Sequence, residues 1–313
     1  MSHNPFTADA AVAARIKAVP EDTRAALRAE ALALAPRSPA ALAANMGGIL
    51  TAADAAALVA KYGLADIKDL MRLLVDAARE IARPSISNFY VGAVGLEAET
   101  GNLILGGNVE FPRAHMGLAI HGEGFLANRA WSRGTTISTI AIFEAHPCAH
   151  CRQFLSEFHA NRQLVLIDPI GHELPLSVLY PWPFDPGYLG EEGAKPGQNN
   201  WPDLTAENAP ESLLAAGRRS HSPYSGSPSA VILTMHDGQE IRGTAIESVA
   251  FNPTMQPMMA ALVDVIAHGY SYQDIVSATL GTTVNGHVDY AASTKELLAS
   301  VAPAAGVKVV NWR

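Results

Sequence analysis

The last third of this 313-residue chain repeats its middle third. Residues 79–84 (REIARP) resemble 218–223 (RRSHSP) at an offset of 139, and Asn108-Val109-Glu110-Phe111 aligns with Ser248-Val249-Ala250-Phe251 at 140. A chain that uses one unit twice is restricted to stacked or pseudo-symmetric architectures. Within the first copy, β-type runs alternate with helical periodicity. A helix is expected over 67–82, ended by Pro84, and strands over 89–94 and 103–106 flank a Thr100-Gly101-Asn102 turn. A helix then runs from about 117 to 131, a strand over 138–143, a helix from Cys151 and a strand over 164–167. This alternation predicts an α/β sandwich with helices packed on a mixed sheet.

Four segments follow. Residues 1–66 are alanine-rich and helical, with helical spacing over 23–35 and 51–61 and breaks at Pro20 and Pro36. The first copy spans 67–180. A proline- and glycine-rich linker spans 181–210, and its Trp182, Phe184, Tyr188 and Trp201 suggest that it packs on something. The second copy spans 211–313.

Two strings in the first copy carry chemistry: His121-Gly122-Glu123 and Pro147-Cys148-Ala149-His150-Cys151. One imidazole and two thiols make three zinc ligands and leave a fourth position for water. A carboxylate that is not a ligand can move the proton. A C-x-x-C at a helix start aims both sulfurs at one point, and the helix N-terminus favours thiolate. The C-x-x-C alone is also compatible with a redox pair or a structural zinc half-site, which would draw a fourth ligand from His146 or His150. At the offset of 140, Ala261, Val263, Val288 and Ala291 fall on His121, Glu123, Cys148 and Cys151. The second copy therefore keeps the framework without the ligands.

Charge narrows the partners. The chain carries a formal charge of −8 and no lysine- or arginine-rich run, so nucleic acid is not its main partner. No apolar run approaches the ~18 residues of a membrane span, and the N-terminus has no basic-then-apolar signal pattern. Both cysteines sit in the one C-x-x-C, which excludes a disulfide framework and fits a reducing, cytoplasmic compartment.

The pattern His-x-Glu…Pro-Cys-x-x-Cys is the signature of zinc-dependent nucleoside and nucleobase deaminases. With Ser87-Asn88-Phe89-Tyr90-Val91-Gly92-Ala93, Gly107-Asn108-Val109-Glu110-Phe111, Cys151-Arg152-Gln153-Phe154, Arg219-Ser220-His221-Ser222-Pro223-Tyr224-Ser225 and Ala250-Phe251-Asn252-Pro253-Thr254, the chain from about 67 to 313 resembles the cytidine deaminase family. The match is to its long bacterial, homodimeric form with a second, metal-free deaminase-like domain. The resemblance implies a duplicated three-layer α-β-α cytidine deaminase-like sandwich with a small N-terminal helical domain. It implies one Zn2+ per chain on His121, Cys148 and Cys151, with Glu123 as proton shuttle. Asn108 and Glu110 would hold the ribose 3′-hydroxyl, Phe89 would pack on the pyrimidine and the Gly122 backbone would meet the base edge. Phe184 would reach the neighbouring subunit's site. The implied reaction converts cytidine and 2′-deoxycytidine to the uridines with loss of ammonia, in pyrimidine salvage.

The chain departs from the family at Gly122, where alanine is usual, at Gly124, and at Ala145-His146 before Pro147. These positions bear on substrate choice and rate. They keep open a deaminase of a modified cytidine or a nucleoside antibiotic. A non-catalytic, zinc-stabilised homodimer is the third reading, and Glu123 argues against it.

Overall fold

Short polar side chains set where several of the helices begin. In the computed structural model, which describes residues 4–143, 146–158 and 162–312, the Asp9 carboxylate accepts the Ala11 N–H and starts helix α1 (Ala10–Ala18). Helix α2 (Glu21–Leu34) follows Pro20, then strand β1 (Ile49–Leu50) and helix α3 (Ala52–Lys61), capped by Thr51. Asp66 accepts the Asp69 N–H at 2.9 Å and starts α4 (Ile67–Ala78). The first 66 residues are thus not purely helical. β1 is too short to be seen as a periodicity, and it pairs antiparallel with a strand of the first copy.

The first copy continues through β2 (Gly92–Glu97), β3 (Leu103–Gly107), α5 (Gly122–Arg133), β4 (Ile137–Ile142), α6 (Ala149–Ser156), β5 (Val165–Ile167), β6 (Glu173–Pro175) and the single turn α7 (Leu176–Leu179). Its sheet runs β1-β3-β2-β4-β5-β6, with β4 and β5 parallel. Alternation along β2 makes the layers. A Cβ on Gly92 would strike the Val75 carbonyl of α4, whereas one on Gly95 would press on Leu126 of α5. Helix α4 therefore covers one face and α5 the other. Leu70, Met71 and Leu74 of α4 are fully buried, each worth roughly 1.5–3 kcal/mol.

The second copy comprises α8 (Glu211–Arg218), β7 (Ala230–Met235), β8 (Glu240–Thr244), α9 (Pro257–Ala267), β9 (Ile275–Thr283), α10 (Ala291–Val301) and β10 (Gly306–Trp312). Its sheet, β10-β9-β7-β8, reproduces the order β5-β4-β2-β3, with the same antiparallel and parallel pairings. Even the register shift recurs, at Leu96/Glu97 in β2 and Thr234/Met235 in β7. Ala230 and Ile232 pack with α8, and Val231 and Leu233 face the main core with α9. Helices α5 and α9 meet between the two sheets. The chain is a duplicated three-layer α-β-α sandwich, as expected.

The repeat needs one correction. The offset is not constant: it is 138 between β2 and β7, 135 between α5 and α9, and 142 between α6 and α10. The loops between matching elements differ in length. Helix capping makes Gln256 the counterpart of His121, and Tyr290 that of Cys148. By the same count Met258 matches Glu123 and Ser293 matches Cys151, in place of Ala261, Val288, Val263 and Ala291. The second copy still lacks all four groups. Glu110 corresponds to Glu247 rather than Ala250. Each of these carboxylates accepts two successive backbone N–H groups and a serine hydroxyl, from Ile86 and Ser87 in one copy and from Tyr224 and Ser225 in the other.

Candidate metal and catalytic site

Two helix N-termini converge to build the site. His121 is the N-cap of α5, with extended backbone, so the helix begins later than the sequence predicts and the imidazole stands at its mouth. The ring makes no capping bond, which leaves it available. Cys148 is the N-cap of α6, and its sulfur accepts the Cys151 N–H at 3.5 Å. The cap and the third helical residue lie on one side of the first turn, so both sulfurs face the same point. Nδ1 of His121 lies 3.5 Å from Cys148 Sγ and 3.3 Å from Cys151 Sγ.

These three atoms are close enough to share one ion. Hydrogen bonds from Cys151 and His121, with the helix N-terminus, draw the Cys148 thiol down to about 3. The bond to Cys148, with burial, pushes the Cys151 thiol up. The Cys148 contact also raises the His121 imidazole. The donor set, one imidazole and two sulfurs with room for a fourth ligand, fits tetrahedral Zn2+. Metal binding would take both thiols and the imidazole in their deprotonated forms. Glu123 is buried beside Cys151, and burial holds its carboxyl above the usual range, so it is poised to carry a proton.

The remaining expected residues divide. Asn108 is buried and its amide is engaged by backbone: Oδ1 accepts the Val91 N–H at 3.0 Å, and Nδ2 donates to the Phe89 carbonyl at 2.9 Å. Glu110 accepts from Ile86, Ser87 N–H and Ser87 Oγ. Both residues shape the 85–91 segment, in which Asn88 has φ 55 and the Phe89 ring is half exposed. Phe184 lies against α6: Gln153 Nε2 donates to its carbonyl at 2.7 Å and its ring rests on Tyr188. Ser87 and Gln153 stand in the matching strings without an assigned role, and Glu157 is not singled out, because lone polar residues on helices and loops have no periodicity to mark them.

The departures have physical content. A Cβ on Gly122 would sit 2.9 Å from the Ala93 Cβ, so the first turn of α5 lies closer to β2 than an alanine allows. Gly124 faces a cavity of about 170 Å3 that runs past His121 and Cys151 to Met255 and Met259 of the second copy. His146 turns its ring to Asp168, at 3.2 Å. Ala145 lies outside the described residues. Among the described residues, no helix is long and apolar enough to cross a membrane.

Models of the cytidine and deoxycytidylate deaminase zinc-binding region match twice, at residues 64–167 and 193–295. The cytidine deaminase of Vibrio atlanticus is 33% identical over 84% of this chain and 89% of its own length. That of Vibrio vulnificus is 31% identical over 87% and 95%. A crystal structure of Mycobacterium tuberculosis cytidine deaminase, 28% identical, covers 37% of this chain and 96% of that one at a TM-score of 0.34.

Proposed function

Because this chain belongs to the cytidine deaminase family, we propose that it is a zinc hydrolase that deaminates cytidine to uridine. The observation that carries this is the meeting of His121, Cys148 and Cys151 beside the buried Glu123. His121 and the two thiolates would hold one Zn2+ per chain. When bound, zinc supplies the Lewis acidity that makes water nucleophilic near neutral pH. Water adds at C4 of the pyrimidine, the exocyclic amino group leaves as ammonia and uridine remains. Glu123 takes a proton from the incoming water and returns it to the departing nitrogen. Its raised pKa suits both halves of that exchange.

The rest of the reading follows from the same residues. Asn108 and Glu110 brace the segment that presents Phe89, and they meet the ribose 3′-hydroxyl through their remaining lone pairs. The Gly122 backbone contacts the base edge, and 2′-deoxycytidine is a second substrate. Free thiolate ligands suit the reducing cytoplasm, where the product feeds pyrimidine salvage. Domain limits of 1–66, 67–180 and 211–313, with a 181–210 linker, are kept. Trp182 and Tyr188 are exposed in that linker beside Phe184, and this supports a homodimer in which Phe184 serves the neighbouring site.

The test is ammonia release from cytidine by zinc-loaded protein. Chelation and Glu123→Gln are each expected to abolish it, the variant with its zinc retained. Turnover that survived both would overturn the mechanism. Zinc-loaded wild type that turned over no pyrimidine nucleoside would favour the non-catalytic homodimer instead. A substrate panel in which a modified cytidine has the best kcat/KM would point to the shifted substrate.

A further inference from the structure

Away from the three zinc-type ligands, a second set of metal-binding side chains converges. Asp168 follows β5 and is buried, as is His172 four residues on; His146 comes from the segment that enters Cys148 and is 46% exposed at its side chain. Both imidazoles address one oxygen: Asp168 Oδ2 lies 2.6 Å from His172 Nδ1 and 3.2 Å from His146 Nε2. The other oxygen, Oδ1, accepts the backbone N–H groups of Ile170 and His172 at 3.1 and 2.9 Å. The carboxylate is thus fixed, with one oxygen anchored to the turn and the other presented to two rings.

The surroundings hold this arrangement. Gly171, at φ 99, closes the turn, and a side chain there would strike the Asp9 carbonyl at 2.2 Å. Asn4 lies 2.9 Å from Nε2 of His172, on the ring edge opposite the carboxylate. The contacting atom is the Asn4 amide nitrogen, which donates to Nε2; a metal-bound ring would instead donate from that nitrogen. The nearby Arg152 guanidinium is committed elsewhere, to the Pro147 and Leu179 carbonyls at 2.7 and 2.8 Å.

We propose that His146, Asp168 and His172 form a second divalent-cation site, distinct from His121, Cys148 and Cys151. Two imidazoles and a carboxylate, with solvent access past His146, suit a borderline late first-row ion such as Zn2+, Co2+ or Ni2+. The ion would replace the hydrogen bonds to Oδ2. The two nitrogens and Oδ2 already lie within 4.8 Å of one another, so a modest rotation of His172 opens the space. The proton on His172 Nδ1 would move to Nε2, where an amide flip of Asn4, giving up its exposed bond from the Phe6 N–H, lets its oxygen accept it. No net proton is released by that ring. Because His146 stands two residues before Cys148, an ion here would tie the segment entering the cysteine pair to the end of β5. The site would form whether or not the chain deaminates cytidine.

Cobalt substitution of the full chain separates the two sites. After desalting, wild type is expected to hold two Co2+ per chain. Cys148→Ser/Cys151→Ser should keep one, with weak visible bands and no thiolate-to-cobalt charge-transfer absorption. His172→Gln should also keep one, with the charge-transfer band intact. The half-exposed His146→Ala, a change with little risk to folding, should lose the same ion as His172→Gln. Two outcomes would overturn the proposal: one Co2+ per wild-type chain with the charge-transfer band present, or two in a folded His146→Ala protein. Either would mean that the three side chains form only a hydrogen-bonded staple.

Discussion

Oε1 of Glu157 lies 2.9 Å from Nε2 of His221, and this contact joins the helix that carries both cysteines to the copy of the fold that carries none. Glu157 ends α6 and is fully buried. It also accepts the Tyr224 hydroxyl at 2.6 Å and the Val249 N–H at 2.9 Å, and its own carbonyl accepts the Ala194 N–H. Gly193 is forced by this junction, since a side chain there would meet the Glu157 carbonyl at 2.2 Å. The second copy thus acts as the seat of α6.

Glu157→Ala should cost roughly 3–5 kcal/mol of stability, because it strands a buried histidine and a half-buried tyrosine together. Urea unfolding of zinc-loaded protein measures it. A loss below about 1 kcal/mol would show that α6 does not depend on the second copy, since typical single hydrogen bonds contribute that much.

Acid should weaken the far end of α5. Burial alone would raise the Glu97 carboxyl, but Arg133, Thr100 and Thr135 override it and hold the folded value below 4.5. The ion pair therefore contributes stability that is complete above the unfolded pKa and is lost as pH falls through the lower, folded one. Glu97→Gln should lower the neutral-pH Tm and flatten its fall below about pH 4.5. A Tm–pH curve parallel to wild type would contradict this.

Gly122→Ala sets two effects against each other. Alanine gains about 0.5–1 kcal/mol in a helical position, whereas overpacking costs about 1–3 kcal/mol. With Ala93 Cβ at 2.9 Å, the second effect wins and the variant is destabilised. Ala93→Gly should relieve it. A double-mutant cycle on thermal stability with no coupling between the two positions would refute the clash.

Glu110→Ala removes three hydrogen bonds that shape residues 86–89. Bonds to a charged acceptor are each worth about 1.5–3 kcal/mol, so kcat/KM for cytidine should fall at least about tenfold. Ser87→Ala should reproduce part of the loss. Wild-type kcat/KM in both variants would remove the 85–91 segment from the substrate site.

The chemistry was legible because it rests on residue types at short, fixed spacing. Cys-x-x-Cys and His-x-Glu each span one helical turn, so their geometry is local. The duplication was legible for a related reason: short strings recur at nearly one spacing, 79–84 with 218–223 and 108–111 with 248–251. Its register was not. Loop lengths drift, and only the capping positions show that Gln256 answers His121 and that Glu247 answers Glu110. The start of α5 was misplaced because residues 117–121 have apolar spacing but lie in a 3-10 turn and an extended cap.

From its sequence alone, this protein is a duplicated α/β chain with one set of zinc-type ligands and a carboxylate to move protons. Tertiary structure alone decided that Glu157 seats the cysteine helix on the second copy, that Ala93 leaves no room beyond Gly122, and that His146 reaches Asp168. Each of these joins elements far apart in the chain. Such contacts depend on how whole layers pack, and no local spacing encodes them.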